Sequence, residues 1–291
     1  MKITATVYAK LNLTLDVLGK EGDYHALSSL CTSVSVCDRI TAQKRTDGKI
    51  VLTCHGLNCP PEQDNAYRAA QAFMQAFPVA GGGVTLSIQK NIPVGGGMGG
   101  SSADVVGTLL AMQRLFGVEE SVTPLVNALT SDGAFMQRGG TGVLSGRGER
   151  VEFLPYVPLY FVLIPQTEGV LARDCFAECD RHVPAPPTTP LAKAALLQGD
   201  NAALLRAVKN DLTPAATTLL PAIAGALAAL KTTAPLALSM TGSGSVTFGV
   251  YPSRAVAEGA KTQLLKDYPS AVVASSTPCG VEIEVFSEKG V

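Results

Sequence analysis

Histidine is scarce in this 291-residue chain, and the Cys-x-x-Cys spacing is absent. With three histidines and no Cys-x-x-Cys sequence, the chain has no set of ligands typical of a structural zinc site. The seven cysteines are odd in number and scattered, which argues against a disulfide framework. We therefore expect reduced core thiols in a cytoplasmic protein.

An excess of charge of one sign is also absent. The chain has 23 Lys and Arg against 24 Asp and Glu, giving a net charge of -1. This balance provides no basic surface for nucleic acid, so we expect no nucleic-acid partner. The longest apolar runs, at 159–164 and 222–230, are far shorter than the roughly 20 residues of a bilayer span. The N-terminus alternates polar and apolar residues and does not resemble a secretory signal, so we expect no membrane association.

Apolar residues make up 46% of the chain, which is near the globular average and enough for one large core or two modest ones. Its clearest periodic signal is a strict alternation of apolar and polar residues from Ile3 to Val17. A period of two predicts a strand or hairpin with one buried face. Lys10 and Asn12 then project from the same face as near neighbours.

Further segments alternate between the patterns of strands and helices. The sequence predicts strands at 33–40, 49–54, 84–88, 141–144, 149–153, 159–164, 236–240 and 246–251, with two more at the end of the chain. It predicts helices at 65–77 (capped by Asp64), 101–116, 191–197, 202–208, 214–230 and 255–265. A proline-rich segment at 183–190 is typical of a stiff linker. This order predicts an α+β protein in two lobes.

A glycine-rich loop, Pro93 to Ala103, connects a predicted strand to a predicted helix. Glycines let backbone N–H groups approach a ligand, and a helix start adds free N–H donors, so the pattern favours a phosphate-binding loop. A flexible turn with a serine cap is the alternative. The loop is not a Walker A sequence, because no Gly-Lys-Ser/Thr follows. It matches the dinucleotide fingerprint, but the acids with the required spacing, Glu119 and Glu120, follow a helix and not a strand.

Three other features fit phosphate chemistry. Phosphoryl transfer needs a held triphosphate, a metal, a cation near the developing charge and a carboxylate near the attacking hydroxyl. Lys10 and Asp132 offer the cation and the carboxylate, although a solvated sheet lysine and a turn aspartate are the ordinary interpretations of such residues. The sequence from Met240 to Ser245 is either a second phosphate-facing loop or a simple hairpin.

Taken in order, these motifs resemble those of the GHMP kinases. Within them, Ala9-Lys10-Leu11-Asn12-Leu13 and Tyr24-His25 resemble the opening of the diphosphocytidyl-methylerythritol kinases. Further similar stretches are Asn65 to Ala70, Ser131 to Phe135 before Gly139-Gly140 and Gly146-x-Gly148-Glu149, Asn210-Asp211-Leu212, and Thr241 to Ser245. The likeness runs from Lys10 to about Gly280. Gly133-Ala134 stands where the family has Val-Pro.

The resemblance implies a two-lobed GHMP kinase fold. An N-terminal ATP-binding lobe would span 1–155, and a C-terminal α/β lobe with an antiparallel sheet would span 156–291. It also implies ATP and Mg²⁺ as cofactors, a cytidine diphosphate derivative as substrate, and a monomer or weak homodimer. The expected reaction is phosphorylation of a cytidylated methylerythritol. Another GHMP kinase acting on mevalonate, homoserine or a sugar, and a catalytically silent nucleotide-binding module, are the alternatives.

The resemblance also assigns roles to individual residues. Lys10 and Asp132 would be the catalytic pair, and no metal ligand is assigned. The residues expected to bind ATP are Asn65, Pro93, Val94, Gly95, Gly96, Gly97, Met98, Gly99, Gly100, Ser101, Ser102 and Ala103. The residues expected to bind the acceptor are Asn12, Tyr24, His25, Phe176, Thr241, Gly242 and Ser243. Tyr24, His25 and Phe176 would hold the cytosine base.

Overall fold

The computed structural model of this chain describes residues 1–22, 24–55, 59–79, 82–183 and 185–286. The strands are β1 (Lys2–Asn12), β2 (Thr14–Glu21), β3 (Tyr24–Arg45), β4 (Ile50–His55), β5 (Gly83–Gln89), β6 (Thr141–Gly146), β7 (Arg150–Leu154), β8 (Tyr160–Ile164), β9 (Lys209–Asn210), β10 (Ala237–Met240), β11 (Thr247–Tyr251), β12 (Val272–Ser275) and β13 (Val281–Phe286). The helices are α1 (Asn65–Ala76), α2 (Gly100–Phe116), α3 (Thr123–Leu129), α4 (Gly133–Arg138), α5 (Ala172–Cys179), α6 (Thr189–Gln198), α7 (Asn201–Arg206), α8 (Thr213–Leu219), α9 (Ala222–Thr232) and α10 (Arg254–Leu264).

The first lobe is built on a sheet whose centre is the long strand β3. Both β1 and β2 pair antiparallel with β3, so the predicted strand at 3–17 is confirmed as two successive strands and not as a hairpin. Strands β5 and β6 also pair with β3, and β4 and β7 extend the sheet from them. The last strand, β13, returns from the second half of the chain and pairs with β1.

The prediction that β1 has only one buried face is wrong. The apolar face packs against α2, where Gly107 lies so close to Val7 that a Cβ would meet its Cγ2 at 2.8 Å. The polar face is buried too, and Lys10 and Asn12 are only 6% and 3% exposed. The 240–245 loop covers this face, because Asn12 N donates to Thr241 Oγ1 at 3.0 Å.

Helices α1 and α2 begin where local chemistry places them. Asp64 caps α1 by accepting a hydrogen bond from Ala66 N at 2.8 Å, as predicted. Helix α2 follows Gly99, whose left-handed φ of 80° is favourable only for glycine. The glycine-rich loop therefore delivers the chain directly into the N-terminus of a 17-residue helix.

The second lobe contains an antiparallel sheet in the order β10-β11-β8-β12, packed against α9 and α10. The predicted single helix at 214–230 is wrong, because the chain forms α8 and α9 with a break between them. Leu220 adopts a non-helical conformation, with ψ of 89°. It precedes Pro221, and the proline ring disfavours helical geometry in the residue before it.

The architecture is the predicted α+β fold in two lobes. The division at residue 155 stays a prediction. Strand β13, from the far side of that division, completes the sheet of the first lobe. In the described ranges, no helix is both long and apolar enough to cross a bilayer.

Candidate active site

The two glycine loops contact each other across the lobes. Val246 N, directly after the second loop, donates to Gly96 O at 3.2 Å, and the Thr241 hydroxyl lies 3.2 Å from Gly97 O. The first loop also contacts β1, since Lys10 N donates to Met98 O at 3.0 Å. A Cβ on Gly97 would lie 2.2 Å from the carbonyl oxygen of Thr241. The absence of a side chain at Gly97 is therefore what allows the second loop to approach the first.

Asn12 connects β1 to the second loop. Its Oδ1 accepts hydrogen bonds from Lys10 Nζ at 2.7 Å and from Gly242 N at 2.9 Å, while the Thr241 hydroxyl lies 3.1 Å away. Its Nδ2 donates to Ser29 Oγ at 2.7 Å. Asn12 thus holds the Lys10 ammonium, and Thr241 in turn holds Asn12. Both Asn12 and Thr241 are buried.

Lys10 and Asp132 meet in space, with Nζ and Oδ2 3.5 Å apart. Lys10 reaches the site from β1, and Asp132 immediately precedes α4. Gly133 follows Asp132 and packs tightly, since a Cβ there would lie 2.1 Å from Thr130 Oγ1. The Asp132 side chain is one-quarter exposed, so it can reach a ligand.

Two cavities adjoin this pair. The larger has a volume of about 920 Å³ and is lined by the glycine loop and by the segment from Asn127 to Asp132. The smaller has a volume of about 220 Å³ and contains Lys10, Asn12, Asp132 and Phe176. Both cavities are lined by Gly97, Gly99, Ser131, Asp132 and Arg147. The carboxylate of Asp132 therefore stands on the wall between them.

Most of the residues predicted to bind ATP line the larger cavity. These are Asn65, Pro93, Val94, Gly95, Gly96, Gly97, Met98, Gly99, Gly100, Ser101 and Ser102. Ala103 is absent from its lining and is fully buried in the core. Asn65 Nδ2 donates to Ser101 Oγ, which ties α1 to the start of α2.

The residues predicted to bind the acceptor divide into two groups. Asn12, Phe176, Gly242 and Ser243 line the smaller cavity, while Thr241 lies behind it, fully buried. Tyr24 and His25 line neither of the two cavities.

His25 lies next to the smaller cavity and contacts α5 and the residue that follows this helix. Its ring stacks on Phe176 with centroids 4.9 Å apart, and its Nε2 is 2.6 Å from Asp180 Oδ1. The hydrogen bond from His25 lowers the pKa of Asp180. Asp180 was not among the site residues predicted from the sequence.

Similarity to known proteins agrees with this arrangement. Family models for the GHMP kinases N terminal domain and GHMP kinases C terminal match residues 64–141 and 192–270. The chain is 33% identical to a 4-diphosphocytidyl-2-C-methyl-D-erythritol kinase of Moorella thermoacetica, over 93% of this chain and 98% of the relative. The chain belongs to the 4-diphosphocytidyl-2-C-methyl-D-erythritol kinase family.

Further relatives support the same family. A 4-diphosphocytidyl-2-C-methyl-D-erythritol kinase of Desulfitobacterium hafniense is 35% identical, with 86% of this chain and 88% of the relative covered. A crystal structure of 4-(cytidine 5'-diphospho)-2C-methyl-D-erythritol kinase superposes with a TM-score of 0.80 at 26% identity, covering 94% of this chain and 98% of that one. As a family member, the chain is an ATP-dependent small-molecule kinase.

A buried cluster of charged residues lies beside the larger cavity of the kinase, at the start of α2. Lys90 Nζ lies 2.5 Å from Asp38 Oδ2 and 2.8 Å from Asp104 Oδ2. Burial raises the pKa of Asp104 to about 6, although Lys90 opposes this shift. Burial alone would lower the pKa of Lys90, but the two carboxylates outweigh it and raise the pKa. The ammonium also approaches Gly100 O at 3.3 Å, so the cluster fixes the start of α2.

Sequence reasoning about the kinase missed four polar residues of this site. They are Asp38, Lys90, Asp104 and Arg147. The first three come together only when β3, β5 and α2 pack, and no local motif marks them. Arg147 had a usable signal, because it lies in the Gly146-x-Gly148-Glu149 stretch that resembles the family.

Proposed function

We propose that this kinase transfers the γ-phosphoryl group of ATP to the 2-hydroxyl of 4-diphosphocytidyl-2-C-methyl-D-erythritol. This reaction is the fourth step of non-mevalonate isoprenoid precursor synthesis. The observation that carries the proposal is the Lys10–Asp132 pair, 3.5 Å apart on the wall between a glycine-lined cavity and a smaller one. The cavity with the glycine loop is the donor site, and the smaller cavity is the acceptor site.

The chemistry follows from the position of the pair. The acceptor oxygen attacks the γ-phosphorus while its proton moves to the Asp132 carboxylate. The bond from the γ-phosphorus to the bridging oxygen breaks, and ADP leaves with that electron pair. Lys10 stabilises the charge that develops on the transferred group. The hydrogen bond to Asn12 Oδ1 holds the ammonium in place, so little reorganisation is needed at the moment of transfer.

The donor site suits a triphosphate. Its glycines expose backbone N–H groups, and the N-terminus of α2 adds a positive dipole end at the same place. The large volume of about 920 Å³ leaves room for the rest of a nucleotide. Asn65 at the start of α1 is assigned to the adenosine end of this site.

Mg²⁺ is assigned to the triphosphate. In the described part of the chain, no cluster of three or more His, Cys, Asp or Glu is placed to hold a metal. A magnesium–nucleotide site needs few protein ligands, because phosphates and water supply most of the oxygens. Ser101 and Ser102 offer hydroxyls in the larger cavity, so the residues fit the ion. When bound, Mg²⁺ neutralises charge on the phosphates.

The substrate panel is the direct test of this function. We expect ADP release with 4-diphosphocytidyl-2-C-methyl-D-erythritol and only background release with mevalonate or homoserine. Coupled detection of ADP with each acceptor at the same concentration measures this. If mevalonate or homoserine were the better acceptor, the cytidylated substrate would be wrong while the kinase chemistry would stand.

His25 is assigned to the cytosine base through hydrogen bonds to its edge. We expect His25→Ala to raise KM for the cytidylated acceptor by about tenfold, the scale of a lost buried hydrogen bond or two, and to change KM for ATP by less than about twofold. Steady-state kinetics with each substrate varied in turn measures both. His55→Ala, on β4 and lining neither site cavity, is the matched control. Equal changes in both KM values would remove His25 from the base site.

A further inference from the structure

Arg147 lies in the tight turn between β6 and β7. The flanking residues Gly146 and Gly148 have left-handed φ values of 71° and 109°. The turn is fixed locally, because Glu149 accepts a hydrogen bond from Arg147 N at 2.6 Å. It also touches the catalytic carboxylate, since a Cβ on Gly148 would lie 3.1 Å from Asp132 Oδ1. Arg147 is therefore carried by a rigid turn beside the reacting groups, and it lines both cavities.

The cations around the two cavities differ in how far they are already neutralised. Among the described lining residues they are Lys10, Lys90 and Arg147. Lys90 is held by two buried carboxylates, and Lys10 faces Asp132. The Arg147 side chain forms no ion pair with a carboxylate in the described residues. Its guanidinium lies 5.6 Å from the centre of the Tyr24 ring.

This distribution leaves the acceptor cavity short of positive charge. A cytidylated acceptor brings a diphosphate with two negative charges into a site that already holds the Asp132 carboxylate. Lys10 is committed to the reacting end, where it contacts Asp132 and Asn12. The guanidinium of Arg147 lies over the ring of Tyr24, the neighbour of His25, and the His25 ring stacks on Phe176 of the smaller cavity. Its planar fork matches two phosphate oxygens at once.

We propose that Arg147 binds the diphosphate of the acceptor and thereby makes the kinase select a nucleoside diphosphate derivative over an uncharged nucleoside. The proposal rests on the proposed function, since it places that substrate in the smaller cavity. Arg147 contacts the phosphates, while Lys10 and Asp132 act on the hydroxyl. Separate charged residues thus bind the two ends of the acceptor.

Binding of CDP and of cytidine separates the diphosphate from the base. Calorimetry measures the affinity for each probe. A saturating non-hydrolysable ATP analogue fills the donor cavity, so that neither probe binds there. We expect the unmodified kinase to bind CDP about 10- to 100-fold more tightly than cytidine, the range for hydrogen bonds to a charged group. R147A should reduce that ratio to below about threefold with cytidine affinity unchanged. R147K should keep part of the preference.

R150A is the matched control. Arg150 lies three residues along, with 78% of its side chain exposed, and it lines neither cavity. The control should bind both probes as the unmodified kinase does. A CDP preference that survives in R147A, or a loss of affinity for the ATP analogue in its place, overturns the role of Arg147 and leaves the proposed function standing. An unmodified kinase that binds neither probe and does not phosphorylate the cytidylated acceptor overturns both.

Discussion

Replacing Asp132 with alanine is expected to lower kcat by about 100-fold or more while ATP still binds. The expectation follows from the loss of the carboxylate that we propose takes the hydroxyl proton, since general-base help is typically worth about 100- to 10,000-fold. Asp132 lies on the wall between the cavities and is not part of the glycine loop that is assigned to the triphosphate. Single-turnover kinetics and titration with an ATP analogue measure the two effects separately.

Two further variants test whether the carboxylate itself is responsible for the expected loss of activity. Asp132→Asn keeps the size of the side chain but cannot accept the proton, so it should be as slow as the alanine variant. Asp200→Ala removes an aspartate that caps α7 by accepting a hydrogen bond from Ala203 N and that lines neither cavity. That control should lose about 1 kcal/mol of stability with kcat unchanged. Turnover in Asp132→Asn within a few-fold of the unmodified kinase would contradict the base assignment.

Local patterns were sufficient to predict most of the regular structure. Alternation located β1 and β2, and the Asp64 cap together with periodic apolar residues located α1. The short helices were harder to predict. α4 has only six residues and begins with glycine, a poor helix former, so its sequence looks like a turn. Tertiary packing of Phe135 and Met136 into the core provides its stability.

The candidate site was predicted only in outline. A glycine loop before a helix is a local signal for phosphate, so the donor residues were accessible from sequence. The contact from Asn12 to Thr241 spans 229 residues, and that from Lys90 to Asp38 spans 52. No spacing rule connects positions so far apart. These residues meet only because of how the sheet and the second lobe pack. The resemblance to a family could imply that packing, but the pattern of residues alone could not.

The contact between the two glycine loops predicts a large loss of stability and activity when Gly97 is replaced. Gly97→Ala places a Cβ 2.2 Å from the carbonyl oxygen of Thr241, at a backbone φ of 74°. We expect a loss of stability of about 3 kcal/mol or more, combining the left-handed strain of about 1–2 kcal/mol with a backbone clash. We also expect kcat/KM to fall by about 100-fold, because Thr241 holds Asn12, which holds the Lys10 ammonium, and a shift of about 1 Å in Thr241 would misplace that ammonium.

Gly117→Ala separates strain from the clash. Gly117 ends α2 with a φ of 70°, but a Cβ there would meet no atom within 4 Å. It should therefore lose only about 1–2 kcal/mol of stability and keep its activity. Thermal unfolding midpoints and kcat/KM of both variants measure the difference. Similar unfolding midpoints and full activity in the two variants would contradict the contact between the loops. The position of the Lys10 ammonium would then not depend on that contact.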